Sequence, residues 1–174
     1  MIIRQEKVSD HKEVFNVIQT AFRSAAFTNH REQFLVERLR ESDAFIPELS
    51  LVAEVDSGIV GHILLTKIGI DDGTEVFPSL ALAPVSVLPS FQRKGIGSSL
   101  ILHSHVRARE LGYQSIVLLG HAEYYPRFGY ERSDTYAIDL PFEAPKENCM
   151  VLRLVKEGLD GVSGMVVYPK AFHD

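Results

Sequence analysis

Apolar residues near the start of the chain recur with the period of an α-helix. They stand at offsets of 0, 3, 4, 7 and 8 and therefore share one helix face: Val14, Val17, Ile18, Ala21 and Phe22. Asp10 and Glu13 precede them with the spacing of a capping box, which marks a helix start. A short strand at Ile2 and Ile3 comes before this helix, and a second amphipathic helix is predicted over residues 32–41.

The following part of the chain is rich in β-branched residues and predicts strands. Two such runs, residues 49–55 and 59–70, are separated by Asp56-Ser57-Gly58, which favours a hairpin turn. A third run covers residues 76–88 and contains two prolines. Because proline has no N–H to donate to a β-ladder, this strand is expected to be irregular or to splay from a neighbour near Pro84.

A helical period returns at Gly97. The residues of one face are Leu100, Ile101, Ser104, Ala108 and Leu111, and Gly112 stands where a helix commonly ends. Residues 114–119 are almost all apolar, as in a buried central strand. The remaining predictions are a short helix over residues 122–128 and strands near residues 136–140, 150–155 and 164–168. This order of elements predicts one mixed α/β domain covering residues 1–174.

Composition narrows the class of protein. A length of 174 residues suits one domain, and 45% apolar with 24% charged residues is ordinary for a soluble protein. The net charge of −5 argues against general binding to nucleic acid. The lone Cys149 cannot form an internal disulfide, the N-terminus becomes charged too early for a signal peptide, and no apolar run approaches the ~20 residues of a membrane span. We therefore expect a cytoplasmic protein without nucleic-acid or membrane partners.

The segment Gln92-Arg-Lys-Gly-Ile-Gly-Ser98 joins the third β-rich run to the helix. A helix N-terminus presents unpaired N–H groups and a partial positive charge, which favour a phosphate group. Gly95 and Gly97 let the backbone approach such an anion, Arg93 and Lys94 add positive charge, and Ser98 adds a hydroxyl. The alternative is that the two glycines only permit tight packing of helix on sheet. Neither a dinucleotide fingerprint nor a P-loop is present, since the required third glycine and the Gly-Lys order are absent.

Two motifs in this order resemble the GNAT superfamily of N-acetyltransferases. Gln92-x-x-Gly95-x-Gly97 resembles its acetyl-CoA motif, and Tyr124-Tyr125-Pro-Arg-Phe-Gly129-Tyr resembles its Tyr-x-x-x-Gly-Phe signature. The resemblance covers residues 3–155. It implies a central, mostly antiparallel, splayed sheet flanked by helices, and a reaction in which a primary amine directly attacks the thioester of acetyl-CoA.

The resemblance also implies roles for individual residues. The backbone of Val85 and Val87 would bind the pantetheine arm, and Tyr125 would protonate the departing thiolate; the alternative for Tyr125 is a core aromatic. The pyrophosphate would lie on the backbone of Gln92, Arg93, Lys94, Gly95, Ile96, Gly97 and Ser98. The acceptor would be a small-molecule or peptide amine, no metal is implied, and a homodimer stays open.

One part of the family pattern is missing. Many members carry a carboxylate on the strand before the loop as a base, and residues 79–83 contain none. His121 is a candidate base or proton relay, although it could equally be a turn residue, and His62 and Glu54 are weaker candidates. His103 and His105, two apart on a helix, cannot share a metal ion. The rival functions are an acyltransferase for longer acyl-CoA and a non-catalytic acyl-CoA sensor.

Overall fold

Three helices and nine strands make up the regular structure in the computed structural model, which describes residues 1–26 and 28–174. The helices are α1 (His11–Phe22), α2 (Glu32–Arg40) and α3 (Ile96–Glu110). The strands are β1 (Ile2–Gln5), β2 (Ser50–Val55), β3 (Gly58–Asp71), β4 (Val76–Val87), β5 (Ser115–Leu119), β6 (Glu131–Arg132), β7 (Ile138–Asp139), β8 (Cys149–Arg153) and β9 (Gly164–Val167). The strands form one mostly antiparallel sheet, which confirms the predicted mixed α/β fold class.

The described residues fall into two compact units. Unit 1 comprises Met1–Thr66 and Ala83–Arg107, and unit 2 comprises Lys67–Leu82 and Ala108–Asp174. The strands β3 and β4 and the helix α3 each contribute residues to both units. The expectation of a single domain stays a prediction. None of the helices within residues 1–26 and 28–174 is long and apolar enough to cross a membrane.

Unit 1 is built on the antiparallel strands β1, β2 and the first part of β3. The predicted hairpin is present, because β2 ends at Val55 and β3 begins at Gly58, whose φ of +122° is one that glycine adopts readily. Of the predicted apolar stripe on α1, Val14, Val17 and Ile18 are buried. The helix α1 packs on α2, as the predicted amphipathic patterns require.

Unit 2 has β5 as its central strand. The strand β5 pairs with β8 at five antiparallel positions and with β4 in parallel at Leu80–Ile116 and Ala81–Val117. Its core consists of Ile68, Ile70, Ala81, Val117, Ile138, Val151, Leu159 and Val166. Among the described residues, the pairing of β4 with β5 ends at Ala81, before Pro84, which agrees with the predicted loss of ladder contacts near that proline.

Two predicted elements are shorter in the structure. The helix predicted over residues 122–128 is only a 3₁₀ turn at Tyr125–Phe128, because Pro126 supplies no N–H and Gly129, with a φ of +97°, ends the turn. The strand predicted over residues 136–140 is reduced to Ile138–Asp139, because Ala137 has a left-handed φ of +54° that interrupts extended backbone. The predicted C-terminal strand is β9, which pairs with β3 and β7.

Candidate active site

The loop between β4 and α3 has the geometry that its sequence predicts. Following β4, a 3₁₀ turn at Pro89–Phe91 leads into the loop, and α3 begins at Ile96. The N–H of Ser99 donates to the carbonyl oxygen of Gly95 at 3.0 Å, which is the first bond of the helical ladder. By helix geometry, the N–H groups of the first turn, at residues 96–98, have no acceptor within the helix. These are the groups that the sequence assigns to an anion.

Gly95 is required for its backbone conformation and not for close packing. Its φ is +81°, and a Cβ built at this position meets no heavy atom within 4 Å. Arg93 beside it also has a left-handed φ, of +62°. The open space at Gly95 contradicts, for this residue, the alternative that it only permits tight packing of helix on sheet. The backbone is therefore exposed at the N-terminus of α3, where a ligand can approach it.

The N-terminus of α3 is held in place by apolar packing within unit 1. Ile96 is buried, and Leu100 and Ile101 are fully buried. Leu100 and Ile96 pack against Gly61 on β3, where an added Cβ would lie 3.0 Å from Leu100 Cδ1 and 3.2 Å from Ile96 Cγ2. Gly61 is thus the glycine that permits close helix–sheet packing. This role of Gly61 was not predicted from the sequence, although a glycine inside a β-rich run is a known sign of close approach.

The polar side chains of the loop have different surroundings. The Gln92 amide donates from Nε2 to the Val87 carbonyl oxygen at 3.1 Å, so this side chain closes the turn after β4. Arg93 and Lys94 are exposed, and Lys94 Nζ lies 5.2 Å from the centre of the Phe91 ring. Val85, Val87, Gly97 and Ser98 are half-buried. The predicted loop residues therefore lie together in one continuous segment, with two full positive charges beside the helix N-terminus.

Tyr125 lies in an aromatic cluster of unit 2. Its ring meets Tyr124 edge-on at a centroid distance of 5.1 Å and Tyr130 at 5.7 Å. Gly120 lies beneath the ring, since an added Cβ would come within 2.9 Å of Tyr125 Cδ2 and nearer still to Cε2. Burial raises the pKa of Tyr125 to about 12, and Tyr124 adds to the effect. The phenol is therefore protonated at neutral pH, as a proton donor must be.

The candidate bases named from the sequence lie in unlike environments. His121 is exposed, and its carbonyl oxygen accepts hydrogen bonds from the N–H groups of Tyr124 and Tyr125 at 3.1 and 3.4 Å, so its backbone shapes the turn before Tyr125. Glu54 is ion-paired with Arg4 at 2.8 Å. His62 is fully buried in unit 1 and bonded to Ser50. Among the described residues, no group of three or more side chains could hold a metal ion.

Comparison with known proteins decides the family. A sequence model described as "Acetyltransferase (GNAT) domain" matches residues 47–132. The chain is 32% identical over 142 residues to the uncharacterised N-acetyltransferase YjhQ of Escherichia coli K12, which covers 81% of this chain and 77% of YjhQ. The chain belongs to the GNAT superfamily of N-acetyltransferases. The family predicted from the two motifs is thereby confirmed.

Solved GNAT structures share the fold over almost the whole chain. The crystal structure of YhbS from Escherichia coli, in complex with CoA, matches with a TM-score of 0.89 and 26% sequence identity. The match covers 99% of this chain and 92% of the YhbS chain. A GNAT family acetyltransferase from Brucella melitensis, in complex with acetyl-CoA, matches with a TM-score of 0.80 and 35% sequence identity. This match covers 98% of this chain and 97% of the Brucella chain. The mostly antiparallel sheet and its flanking helices are therefore those of a GNAT protein.

Proposed function

We propose that this GNAT protein transfers an acetyl group from acetyl-CoA to a primary amine. The observation that carries the proposal is the open, left-handed backbone at Gly95, directly before the unpaired N–H groups of α3. Membership in the GNAT superfamily supports the reaction type, and the two relatives solved with CoA or acetyl-CoA support the acyl carrier. The proposed acceptor is the amine of a small molecule or a peptide.

The loop residues fit a pyrophosphate in charge and in space. Arg93 and Lys94 supply positive charge, the first turn of α3 supplies N–H donors, and the space beside Gly95 is clear. Gln92 would act indirectly, by holding the turn through its bond to the Val87 carbonyl. The backbone of Val85 and Val87 would bind the pantetheine arm. Acetyl-CoA, when bound, supplies an acetyl group already activated as a thioester.

The chain's own groups would then assist the transfer. A backbone N–H near Val87 would polarise the thioester carbonyl oxygen as negative charge develops on it. Tyr125 would deliver the proton that the departing thiolate requires, and its pKa of about 12 keeps that proton in place until then. His121 stays a proposed proton relay, and its exposed ring could pass protons to and from water.

Calorimetric titration with CoA tests the binding site, and Gly95→Val is the decisive variant. A valine side chain at a φ of +81° strains the loop and occupies the space where the pyrophosphate would approach. Gly73→Val is the matched control, because Gly73 also has a positive φ, of +91°, and no heavy atom within 4 Å of an added Cβ, but lies in the turn before β4. We expect CoA binding to be lost in Gly95→Val and kept in Gly73→Val. Equal affinity in both variants would refute the loop assignment.

A thiol-release assay over a panel of primary amines tests the reaction. Turnover with any amine excludes the non-catalytic sensor, and comparison of acetyl-CoA with longer acyl-CoA decides the acyl group. The sensor has one feature in its favour, since residues 79–83 lack a carboxylate. CoA binding without turnover on any amine would support it. A cytoplasmic location and a homodimer stay predictions.

A further inference from the structure

Unit 1 contains a buried polar chain that runs from the end of β1 through β2 to β3. The Ser50 hydroxyl donates to Glu6 Oε2 at 2.6 Å, and His62 Nε2 lies 3.0 Å from Ser50 Oγ. Because the one hydroxyl hydrogen of Ser50 is given to the carboxylate, His62 must donate its own hydrogen from Nε2 to Ser50. The other ring nitrogen, Nδ1, is therefore unprotonated and carries a lone pair.

The charged groups around this buried polar chain come from two other elements. Arg40 on α2 is ion-paired with Glu6, and His11 on α1 has Nε2 4.0 Å from Glu6 Oε2. Burial lowers the pKa of His62 to about 4; the Glu6 carboxylate opposes this effect, and Arg40 and His11 reinforce it. The ring is therefore neutral at pH 7, so Nδ1 keeps its lone pair.

The buried polar chain ends at His62 on β3, and a second buried polar atom, Ser86 Oγ, lies on the neighbouring strand β4. In the described part of the protein, neither His62 Nδ1 nor Ser86 Oγ has a hydrogen-bond partner, although both are buried. The N–H of Leu88 donates to the Val60 carbonyl oxygen at 2.8 Å. In an antiparallel ladder this bond joins opposite residues, and two further steps along each strand pair Ser86 with His62 on the same face.

Close approach of the two strands at this point is confirmed by Gly61. A Cβ built on Gly61, the neighbour of His62, would lie 3.1 Å from the Ser86 carbonyl oxygen. A hydroxyl donor and an unprotonated ring nitrogen are complementary, yet Ser86 is not held in one rotamer by any hydrogen bond within the described residues. Its hydroxyl is therefore free to turn toward His62, and its chain neighbours Val85 and Val87, whose side chains point to the opposite face of β4, are half-buried.

We propose that His62 is the proton acceptor for the attacking amine, reached through the Ser86 hydroxyl, and that Ser50 and Glu6 are positioning residues that hold its tautomer. This inference rests on the proposed function, in which Val85 and Val87, the neighbours of Ser86, meet the acyl donor. The amine proton passes to Ser86 Oγ as the hydroxyl proton of Ser86 passes to His62 Nδ1. The amine nitrogen keeps the electron pair and forms the amide C–N bond, while the C–S bond breaks and its electrons leave on sulfur.

This assignment supplies a base where residues 79–83 provide no carboxylate. It also accounts for the two unpaired polar atoms, which cost stability in the resting protein because buried polar groups are normally hydrogen-bonded. The positive charge that forms on the ring is stabilised through Ser50 by the Glu6 carboxylate.

Ser86→Ala separates this role from a structural one. The variant removes an unpaired buried hydroxyl, so its thermal midpoint should equal or exceed that of the wild type, and CoA affinity should be unchanged. Turnover should nevertheless fall about 10²-fold or more. The matched control is Ser104→Ala on α3, because the equally buried Ser104 donates to the Ile101 carbonyl oxygen at 2.7 Å. We expect Ser104→Ala to lose stability and keep turnover.

His62→Gln is the second variant, since the glutamine amide can still donate to Ser50 but has no basic nitrogen. In the wild type, kcat/KM should stay nearly constant between about pH 6 and pH 9 while the amine in solution is an ammonium, because the site removes its proton. In His62→Gln and Ser86→Ala, kcat/KM should fall about tenfold for each pH unit below the pKa of the amine. If His62→Gln does not fold, Ser86→Ala decides alone.

Full turnover in Ser86→Ala, or a wild-type pH profile in either variant, would overturn the proton path while leaving the proposed acetyltransferase intact. A wild-type protein that binds CoA and acetylates no amine would overturn both. Loss of turnover with retained stability, retained CoA affinity and the altered pH profile supports the path.

Discussion

Replacing Gly120 with alanine places a methyl group against the buried ring of Tyr125. The added Cβ would lie 2.9 Å from Tyr125 Cδ2, nearer still to Cε2, and 3.2 Å from Leu118 Cδ1. The ring cannot easily move aside, because Tyr124, Phe128 and Tyr130 surround it at centroid distances of 5.1, 6.5 and 5.7 Å. The φ of Gly120 lies outside the left-handed region, so the clash is the main consequence of the change.

Overpacking of this kind costs about 1–3 kcal/mol. For a chain of this length each kcal/mol lowers the thermal midpoint by about 2–4 °C, so we expect a fall of roughly 2–12 °C. Urea denaturation gives the free energy of unfolding directly. The same substitution should also lower kcat, because it displaces the hydroxyl of Tyr125 from the position that the proposed proton transfer requires.

A double-mutant cycle with Tyr125→Ala tests the cause. In that background the ring is absent, so Gly120→Ala should cost nothing and should stabilise the protein by up to about 1 kcal/mol through the restricted unfolded chain. The expected coupling free energy between the two positions is therefore at least about 1 kcal/mol. An equal cost of Gly120→Ala in both backgrounds would show that the ring of Tyr125 does not lie over position 120.

Three further predictions concern charge and proton transfer. The pKa of His62 is about 4 in the folded protein against an unperturbed 6.5, so stability should be complete above about pH 6.5 and fall by about 3 kcal/mol toward pH 4, as the unfolded chain takes up the proton first. Urea titrations across this range should show the fall in the wild type and a much flatter curve in His62→Gln; parallel curves would contradict the burial of a neutral ring. Tyr125→Phe should lower kcat roughly 10²-fold with CoA affinity retained, whereas full activity would make Tyr125 a core aromatic only. Arg93→Ala and Lys94→Ala should weaken CoA binding less than Gly95→Val does, and calorimetry should show the loss shrinking at high salt, because both charges are exposed and screened.

Local signals in the sequence were sufficient for the elements that carry the proposed cofactor loop. The helical period after Gly97 and the glycine at position 95 act within a few residues, so α3 and its N-terminal loop were predicted correctly. The helix predicted over residues 122–128 failed because apolar spacing suggested a longer element than Pro126 and Gly129 permit. Backbone constraints at single residues here outweigh the period of the pattern.

Contacts between distant parts of the sequence were beyond such signals. The role of Gly61 depends on Leu100, and that of Gly120 on Tyr125, and nothing in the local sequence of either glycine names its partner. His62 was a weak candidate for the base, because its burial and its bond to Ser50 arise only when β2 and β3 pair. The sequence therefore predicted the elements around the proposed cofactor loop better than the contacts between distant residues.

Stability alone does not explain why unit 1 keeps a buried chain of polar groups. An ion pair such as Glu6 with Arg40 pays a large desolvation penalty, so apolar residues of similar volume often serve a core at least as well. At one end of this series of polar groups, the hydrogen bond from Ser50 to Glu6 limits the desolvation cost. At the other end the cost is not offset, because His62 Nδ1 and Ser86 Oγ are buried without hydrogen bonds in the described part of the molecule. A structural device would be expected to satisfy both ends, because each unpaired group weakens the fold. The unpaired end lies on β4, beside the residues proposed to bind the acyl donor, which is where a proton acceptor is needed during acetyl transfer.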